Sequence, residues 1–378
     1  MSSLAIRIAA DVISKSSREH PADTVLRDAL ASRRAPNSRD LREASRAVFN
    51  YYRWLGWMER ERPLPAQIEY ALKVARMFVD KPKGFADDLL MAKAVPDWIR
   101  EHLEVSPAWT RTIQAEPRLW LRARPGAAAD LAGKLGAAKT GPLPDSLEYK
   151  GEEDLFRRPE FHDGEFEIQD IASQAVGWLC EPKPGETWWD ACSGQGGKLL
   201  HLSDLMTNKG LIWASDRAEW RLQKLKRRTG RARVFNYRAA LWDGGAKLPT
   251  KTKFNGVLVD APCSGVGTWQ RNPHARWTTT AEDVRELAAV QQQLLANVAP
   301  SVKPGGKLIY AVCTLTRAET TDIAAGFQAE HPDFEPLVLP VESLVKEFKS
   351  AAGATSLMIW PQDLGGNGMF VAAWRRKG

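Results

Sequence analysis

The stretch Thr187-Trp-Trp-Asp-Ala-Cys-Ser-Gly-Gln-Gly-Gly-Lys198 decides the fold, because it joins a short apolar strand to a helix that starts at about Leu199. The glycines at positions 194, 196 and 197 permit a tight turn and a close approach of the backbone to a ligand. The N-terminus of the following helix favours electronegative groups. A dinucleotide fingerprint would need glycine at Leu199, and a P-loop would need glycine at Cys192, so neither glycine loop fits. The stretch therefore predicts a glycine-rich strand-to-helix turn, with a plain structural turn as the alternative to a ligand site.

Short strand-like runs alternate with helical segments from Phe166 to the end of the chain. The runs are Thr187–Trp189, Leu211–Ser215, Val234–Asn236, Val257–Val259, Lys307–Val312, Leu357–Trp360 and Met369–Trp374. This alternation predicts an α/β fold with a doubly wound, mostly parallel sheet. The last two runs have no long helix between them, which predicts an antiparallel pair at the edge of the sheet.

Acidic residues follow the second and third runs. In a parallel α/β sheet ligands bind outside the carboxyl ends of the strands, so these positions are informative. Asp216 ends the second run, where a carboxylate can accept two hydrogen bonds from a ribose diol. Asp243 lies in a Trp-Asp-Gly-Gly turn, where it either binds an adenine amino group or caps the turn. Each residue alone would more often be structural, but together they predict a nucleoside pocket.

The first part of the chain has a different pattern. Up to residue 105 apolar residues recur with helical spacing, as in Leu4, Ile8 and Val12, which predicts a helical domain over residues 1–105. An extended run at Leu119–Arg122 and an Ala-rich stretch at Ala127–Leu135 predict a small α/β linker domain over residues 106–165. Residues 166–378 form the predicted sheet domain.

The composition of the chain narrows the class of function. Four cysteines among 378 residues, without a C-x-x-C pair or Cys/His clustering, predict neither a disulfide framework nor a metal site and favour a cytoplasmic setting. The N-terminal stretch carries Arg7 and Asp11 among its apolar residues, and no run of 18 apolar residues follows, so we expect neither export nor a membrane span. A net charge of +7 indicates a polyanionic partner.

Two cysteines fall at the ends of neighbouring predicted strands. Cys263 follows Val259-Asp-Ala-Pro, and Cys313 ends Gly306-Lys-Leu-Ile-Tyr-Ala-Val. A free cysteine is usually a small buried hydrophobic residue, and we expect that of Cys180 on its apolar helix face. Their strand-end positions make Cys263 and Cys313 candidates for chemistry instead.

Several segments resemble successive motifs of the Sun (Fmu) family of RNA cytosine-C5 methyltransferases. They are Asp190–Lys198, Asp260–Gly267, Arg271–Trp277 and Tyr310–Leu315, with further similarity at Phe166–Ser173, Glu116–Arg122, Val95–Trp98 and the N-terminal helices. The Asp-Ala-Pro-Cys motif with a second cysteine on the next strand is the specific feature. The resemblance implies a Rossmann-like class I methyltransferase fold, preceded by a NusB-like helical RNA-binding domain.

The resemblance also implies an activity: formation of 5-methylcytosine in RNA, with S-adenosylmethionine as cofactor, ribosomal RNA as partner and no metal. C5 of cytosine is a poor nucleophile, so a thiolate must first add to C6. The family pattern assigns this attack to Cys313 and a part in product release to Cys263, while Asp260 is expected to bind the N3/N4 edge of the base and to border the cofactor. The expected cofactor residues are Cys192, Ser193, Gly194, Gln195, Gly196, Gly197, Lys198, Asp216, Asp243 and Asp260. A monomer is expected.

This sequence departs from the family pattern at three places. The usual Cys-Ala-Ala-Pro-Gly-Gly-Lys is Cys192-Ser-Gly-Gln-Gly-Gly-Lys198, the usual Thr-Cys-Ser is Val312-Cys-Thr314, and a common Asp is His274. The altered first motif keeps open a noncatalytic RNA-binding or ribosome-assembly factor, and tRNA remains an alternative substrate. An amino-group methyltransferase would instead carry Asp/Asn-Pro-Pro-Tyr/Phe at the fourth strand, where Cys263 lies.

Three further features have two interpretations each. Trp277 is either a base-stacking residue or part of a core. Lys198 either lowers a thiolate pKa, holds a phosphate or pairs with Asp260. The last is a basic run that either contacts phosphates or forms a solvated face: Lys224, Lys226, Arg227, Arg228, Arg231 and Arg233.

Overall fold

The computed structural model describes residues 1–31, 38–341, 344 and 353–378, which form two compact units. The first unit consists of Met1–Pro117 and Gly265–Asp283. The second consists of Arg118–Ser264 and Val284–Gly378. The division into functional domains at residues 105 and 165 stays a prediction.

The first unit is helical, as the N-terminal periodicity predicts. Its helices are Ser3–Lys15, Ala22–Ala31, Ser38–Arg53, Leu64–Asp80, Asp87–Lys93, Pro107–Gln114 and Ala275–Thr278, with 3-10 turns at Leu55–Trp57, Pro82–Gly84, Asp97–Glu101 and Val266–Thr268. Ile8, Val12, Val48 and Ile68 are fully buried in its main core. Amphipathic helices bury their apolar stripes against one another in this way. Within the described residues, no helix is long and apolar enough to cross a membrane.

Arg276 fastens the segment Gly265–Asp283 into this helical unit. Its guanidinium is fully buried and donates to the carbonyl oxygens of Ala94 (2.9 Å) and Ile113 (2.9 Å) and to Oε1 of Gln114 (2.7 Å). It also reaches the carbonyl oxygen of Arg53 at 3.3 Å. A buried guanidinium needs such acceptors, because an unpaired one would be strongly destabilising.

A small antiparallel sheet opens the second unit. Its strands are β1 (Leu119–Ala123), β2 (Ala138–Thr140), β3 (Ser146–Tyr149) and β4 (Phe166–Ile168), in the order β2-β3-β1-β4, with helices at Ala128–Leu135 and Pro159–His162 and a 3-10 turn at Leu155–Arg157. The predicted strand at Leu119–Arg122 and the helix after it are confirmed. Strand β4 pairs antiparallel with β1, so the sheet continues past residue 165.

A larger sheet of eight strands forms the rest of this unit. Its strands are β5 (Thr187–Asp190), β6 (Leu211–Asp216), β7 (Tyr237–Leu241), β8 (Phe254–Asp260), β9 (Val302–Val312), β10 (Phe334–Pro336), β11 (Ser356–Ile359) and β12 (Met369–Arg376). The helix Ile171–Cys180 precedes β5. The helices between the strands are Gly197–Leu205, Glu219–Arg231, Ala281–Val298, Thr321–Glu330 and Pro361–Leu364, with 3-10 turns at Ala299–Ser301 and Arg317–Glu319.

The strand order is β10-β12-β9-β8-β5-β6-β7, and β11 also pairs with β12. Strands β5 to β9 are parallel, whereas β12 runs antiparallel to β9 and β11. The doubly wound, Rossmann-like sheet and its antiparallel closing pair are therefore confirmed. Two details differ: the third strand is Tyr237–Leu241 and not Val234–Asn236, and the three-residue strand β10 was not predicted. The third strand is an edge strand with a half-exposed face, so its apolar signal is weak.

The central strands are buried on both faces, which explains their continuous apolar runs. Trp188 packs into the core on one face and Trp189 into the core on the other. A Cβ atom at Gly256 would lie 2.4 Å from the Trp188 ring, so the glycine on the neighbouring strand makes room for the indole. Packing of this kind fixes where each strand ends and hence where the residues after it lie.

Candidate active site

A cavity of about 540 Å³ opens at the carboxyl ends of β5, β6 and β8. It is lined by Ala191, Cys192, Gly194, Asp216, Arg217, Arg221, Trp242, Asp243, Gly244, Gly245, Asp260, Ala261, Pro262, Val290, Gln293 and Leu294. Small-molecule sites typically have volumes of roughly 300–1,000 Å³. The cavity lies at the switch point of the sheet, because the chain runs outward through β6 and β7 and returns to β8 on the other side of β5.

Half of the predicted cofactor residues line this cavity. They are Cys192, Gly194, Asp216, Asp243 and Asp260. The other five lie in the turn after β5 or at the start of the following helix and do not line the cavity: Ser193, Gln195, Gly196, Gly197 and Lys198. Sequence reasoning missed Arg217, Arg221 and Trp242, and also the residues that the helix Ala281–Val298 contributes.

Hydrogen bonds to β6 hold the turn after β5. Ser193 donates to the carbonyl oxygen of Ser215 from its backbone N–H (2.8 Å) and from its hydroxyl (3.1 Å). The N–H of Gly194 donates to Oδ2 of Asp216 at 3.1 Å. Gly194 has a φ of +53°, a conformation that glycine adopts without the cost of a Cβ clash. The turn is therefore organised by the protein's own contacts.

Close packing explains a second glycine in this turn. Gly196 has a φ of +86°, and a Cβ atom there would lie 2.9 Å from Cγ of Leu225. The helix Gly197–Leu205 starts at the next residue. On the solvent side, a guanidinium nitrogen of Arg228 donates to the carbonyl oxygen of Gln195 at 3.1 Å. Only glycine at position 196 lets the turn approach the helix Glu219–Arg231, which carries Leu225, so closely.

The two aspartates after β6 and β7 both face the cavity and both have local roles. Oδ1 of Asp216 accepts from the N–H of Ala218 at 2.8 Å, and Oδ2 accepts from Gly194. Arg221 lies 3.5 Å from the same Oδ2. Oδ1 of Asp243 accepts from the N–H of Gly245 at 2.9 Å, so Asp243 caps its turn while it lines the cavity.

Lys198 and Asp260 form an ion pair of 2.7 Å beside the cavity. Burial disfavours the ammonium of Lys198, but the charge and hydrogen bond of Asp260 outweigh this, so the pKa of Lys198 is raised. Of the interpretations open for Lys198, the geometry shows the salt bridge. The pair also brings a positive charge close enough to stabilise a nearby thiolate.

The two strand-end cysteines meet. Their sulfur atoms are 3.4 Å apart, at the ends of the adjacent parallel strands β8 and β9. The pKa of Cys313 is lowered from its ordinary value, chiefly by its hydrogen bond with Cys263. Burial and the charge of Asp260 oppose this effect, and Lys198 supports it. In contrast, burial raises the pKa of Cys180 and of Cys192, so Cys313 is better prepared to ionise than either of them.

Asp190, at the end of β5, is a buried carboxyl group that sequence reasoning did not single out. It is completely buried, and neither carboxyl oxygen has a well-formed hydrogen bond to the described residues. Burial, and after it the charge of Asp260, raise the pKa of Asp190 to about 8. At neutral pH Asp190 is therefore mostly a neutral carboxylic acid.

Trp277 is packed in a core, whereas the basic run is partly paired and partly exposed. The indole Nε1 of Trp277 donates to the carbonyl oxygen of Tyr52 at 2.7 Å, and its ring packs on the helical core, which favours the core interpretation. In the basic run, Arg228 and Arg231 pair with the buried Glu167. The remaining members are exposed: Lys224, Lys226, Arg227 and Arg233.

Comparisons with known proteins agree with this geometry. The family model described as 16S rRNA methyltransferase RsmB/F matches residues 177–375, more than half of the chain. A protein of Bacillus subtilis, named probable ribosomal RNA small subunit methyltransferase B, is 36% identical over 220 residues, which are 58% of this chain and 49% of that protein. A protein of the same name from Synechocystis is 34% identical over 302 residues, covering 73% of this chain and 66% of that protein.

The chain thus matches from about half to just under two thirds of the length of these two relatives. Among solved structures, the crystal structure of PH0851 has a TM-score of 0.79 at 21% sequence identity. The likeness covers 100% of this chain and 99% of that chain. At this identity the likeness shows the fold.

Proposed function

Because this chain belongs to the 16S rRNA methyltransferase RsmB/F family, we propose that it methylates C5 of a cytosine in RNA, with S-adenosylmethionine as the methyl donor. The observation that carries the proposal is the thiol pair. Cys263 and Cys313 lie 3.4 Å apart, and Asp260, three residues before Cys263, lines the cavity. Neither cysteine lines the cavity itself, but the residues just before Cys263 do, so the thiol pair lies at the same end of the sheet as the cavity. A thiol of lowered pKa at that end suits covalent catalysis.

The residues around the cavity fit S-adenosylmethionine. Asp216 has carboxylate oxygens at the cavity wall for a ribose diol, and Trp242 and Leu294 offer apolar surface beside Asp243 for an adenine ring. The turn at Cys192 and Gly194 leaves room for the methionine part on the side of Asp260. When bound, S-adenosylmethionine supplies a methyl group on a sulfonium sulfur, and this sulfur leaves as a neutral thioether when the methyl group is transferred.

In the proposed mechanism the thiolate of Cys313 adds to C6 of cytosine, and the ring electrons move to C5, which then takes the methyl group. N3 of the ring takes up a proton as the thiolate adds and releases it when the thiolate leaves; Asp260 faces the N3/N4 edge and stabilises the protonated ring. A base then removes the C5 proton, the C5–C6 double bond re-forms, and the thiolate of Cys313 leaves. We assign Cys263 to this release step, because its sulfur contacts that of Cys313.

The matched family and relatives carry names that refer to 16S or small-subunit ribosomal RNA, which favours that RNA over tRNA as the substrate. We propose that the helical residues 1–105 contribute to RNA binding, that residues 106–165 link them to the enzyme, and that residues 166–378 form the catalytic domain. The exposed cations Lys224, Lys226 and Arg227 are available for phosphate contact.

Variants of the cysteines test the proposal. Wild-type protein, incubated with a 16S rRNA transcript and S-adenosylmethionine labelled on its methyl group, should transfer label to cytosine, with the position read by bisulfite sequencing. Cys313→Ala should abolish transfer and form no RNA adduct, because no other group activates C5. Cys263→Ala should methylate and then stall as a denaturant-resistant protein–RNA complex, which disappears in the double variant.

Cys180→Ala is the matched control, since Cys180 is buried in the core and should leave methylation intact. An adduct from Cys313→Ala and none from Cys263→Ala would reverse the two roles. Substantial methylation by the double variant would end the covalent mechanism. No transfer by the wild-type protein to ribosomal RNA or tRNA, together with retained RNA binding, would favour the noncatalytic alternative.

A further inference from the structure

Glu319 is a fully buried carboxylate that lies between the loops carrying the two cysteines. It ends the 3-10 turn Arg317–Glu319, just after β9. Its two oxygens accept five hydrogen bonds: from the N–H of Ser264 (2.8 Å), Gln291 Nε2 (3.0 Å), Thr314 Oγ1 (3.1 Å), Thr316 Oγ1 (2.8 Å) and Ser264 Oγ. All five donors are neutral. Such a set compensates the desolvation of a buried carboxylate.

The identity of these donors points to a role near the chemistry. Ser264 is the residue after Cys263, and Thr314 is the residue after Cys313. One carboxylate therefore binds the neighbour of each cysteine at the same time. The hydroxyl oxygens of Ser264 and Thr314 also lie 2.9 Å apart, and because each hydroxyl donates its single proton to Glu319, the carboxylate is what joins the two loops.

The side chains of Gln291 and Tyr310 also hold Glu319 in place. Gln291 donates from Nε2 to the carbonyl oxygen of Pro262 at 2.9 Å as well as to Glu319. The hydroxyl of Tyr310 lies 2.7 Å from the carbonyl oxygen of Glu319 and 2.9 Å from Oε1 of Gln291, so these two acceptors share its single proton. Strand β9 and the helix Ala281–Val298 thus both hold Glu319, which leaves its position little freedom.

We propose that Glu319 is a positioning residue: it holds the loop after β8 and the loop after β9 in the arrangement that keeps the sulfur of Cys263 against that of Cys313. The role of this arrangement in methyl transfer rests on the proposed function, whereas the arrangement itself does not. If Glu319 is removed, the loops lose their common acceptor and the sulfurs separate. Cys313 then loses the hydrogen bond that chiefly lowers its pKa.

The pH dependence of Cys313 alkylation tests this directly, without RNA or cofactor. The full-length protein is treated with iodoacetamide over a range of pH, and the modified Cys313 peptide is quantified by mass spectrometry. Glu319→Ala should raise the pH midpoint by about one unit, equivalent to a tenfold smaller thiolate fraction at a pH below the midpoint. Glu319→Gln should restore most of the wild-type midpoint, because its oxygen can still accept from Ser264 and the Ser and Thr hydroxyls can turn to accept from its amide.

Asp204→Asn is the matched control, since Asp204 is another largely buried carboxylate of the same unit but pairs with Arg122 and Arg124. It should leave the midpoint unchanged even where it lowers the thermal midpoint. A wild-type midpoint in folded Glu319→Ala, or an equal shift in Asp204→Asn, would overturn the proposal. If Glu319→Ala does not fold, Ser264→Ala takes its place: a smaller rise of the midpoint supports the proposal, and no rise overturns it.

A methylation assay then separates the two proposals. If the wild-type enzyme is active, Glu319→Ala should lower kcat by about tenfold or more and leave the KM values for RNA and cofactor within about twofold. Changed KM values with an unchanged kcat would contradict a positioning role. If the wild-type enzyme is inactive, the proposed function fails while the alkylation profile still decides the role of Glu319.

Discussion

Asp190 and Glu319 are both fully buried carboxyl groups of the second unit, yet their surroundings are opposite. Asp190 has no well-formed hydrogen bond to the described residues, and its pKa is raised to about 8. Glu319 accepts five hydrogen bonds from neutral donors. Burial alone therefore does not decide what a carboxyl group does: a carboxyl group with few donors keeps its proton, and one with many donors organises the loops that supply them.

Removal of each carboxyl group by substitution should separate the two residues most clearly. Glu319→Ala leaves several buried donors unsatisfied, and we expect it to lower the free energy of unfolding by about 3–5 kcal/mol. Asp190→Asn replaces a neutral acid by a neutral amide of similar size and should cost about 1 kcal/mol or less at pH 6. Urea denaturation of both variants measures the difference in their free energies of unfolding. Similar losses in the two variants would contradict the different roles of the two carboxyl groups.

The pH dependence of the free energy of unfolding should also distinguish Asp190 from Glu319. The folded-state pKa of Asp190 is about 8, above the ordinary value of 3.8, so between these values the folded state holds a proton that the unfolded state has released. Stability from this group is therefore present at low pH and is lost as the pH rises towards 8. Between pH 5 and 8 we expect a loss of about 2–4 kcal/mol in the wild-type protein that Asp190→Asn does not show. Parallel pH profiles of urea denaturation would contradict the raised pKa.

A third carboxylate extends the comparison to the cavity. Asp216 accepts hydrogen bonds from Ala218 and Gly194 and also faces the space proposed for the ribose. Asp216→Ala should weaken S-adenosylmethionine binding by about 1.5–3 kcal/mol, the range for a charged hydrogen-bonding partner. Calorimetry without added metal measures this affinity.

Lys226→Ala provides the control for that measurement. Lys226 lies on the same helix as Arg221, is exposed and does not line the cavity, so its loss should change cofactor affinity by less than about 1 kcal/mol. Unchanged affinity in Asp216→Ala would remove Asp216 from the cofactor site.

The family, the fold class and the meeting of the two cysteines could be predicted from the sequence, because their signals are local. Strand, turn and helix follow one another within the stretch 187–198, and each cysteine follows a recognisable strand. The parallel order of β8 and β9 then brings Cys263 and Cys313 together. The motif resemblance to the Sun (Fmu) family agrees with the family that the chain is now shown to belong to.

Other parts depend on packing that no local pattern records. Val290 and Leu294 look like ordinary members of an amphipathic helix, and only the packing of that helix on the sheet brings them to the cavity. Glu319 is a common residue type in a short turn. The one sequence feature that could have pointed to it is the set of hydroxyl residues near the two cysteines, Ser264, Thr314 and Thr316. The third strand was misplaced because Val234-Phe235 looks apolar, although Phe235 is 74% exposed.

The path of the chain through Gly265–Asp283 has a consequence for synthesis on the ribosome. Domains tend to fold as units while the chain emerges from the N-terminal end. The first unit, however, includes Arg276, whose guanidinium bonds to the carbonyl oxygens of Ala94 and Ile113. A nascent chain therefore cannot complete its helical unit until residues 118–264, including β8 and Cys263, have already been translated. A fragment of residues 1–117 would lack the buried guanidinium of Arg276. The helical unit should therefore be produced together with residues 265–283.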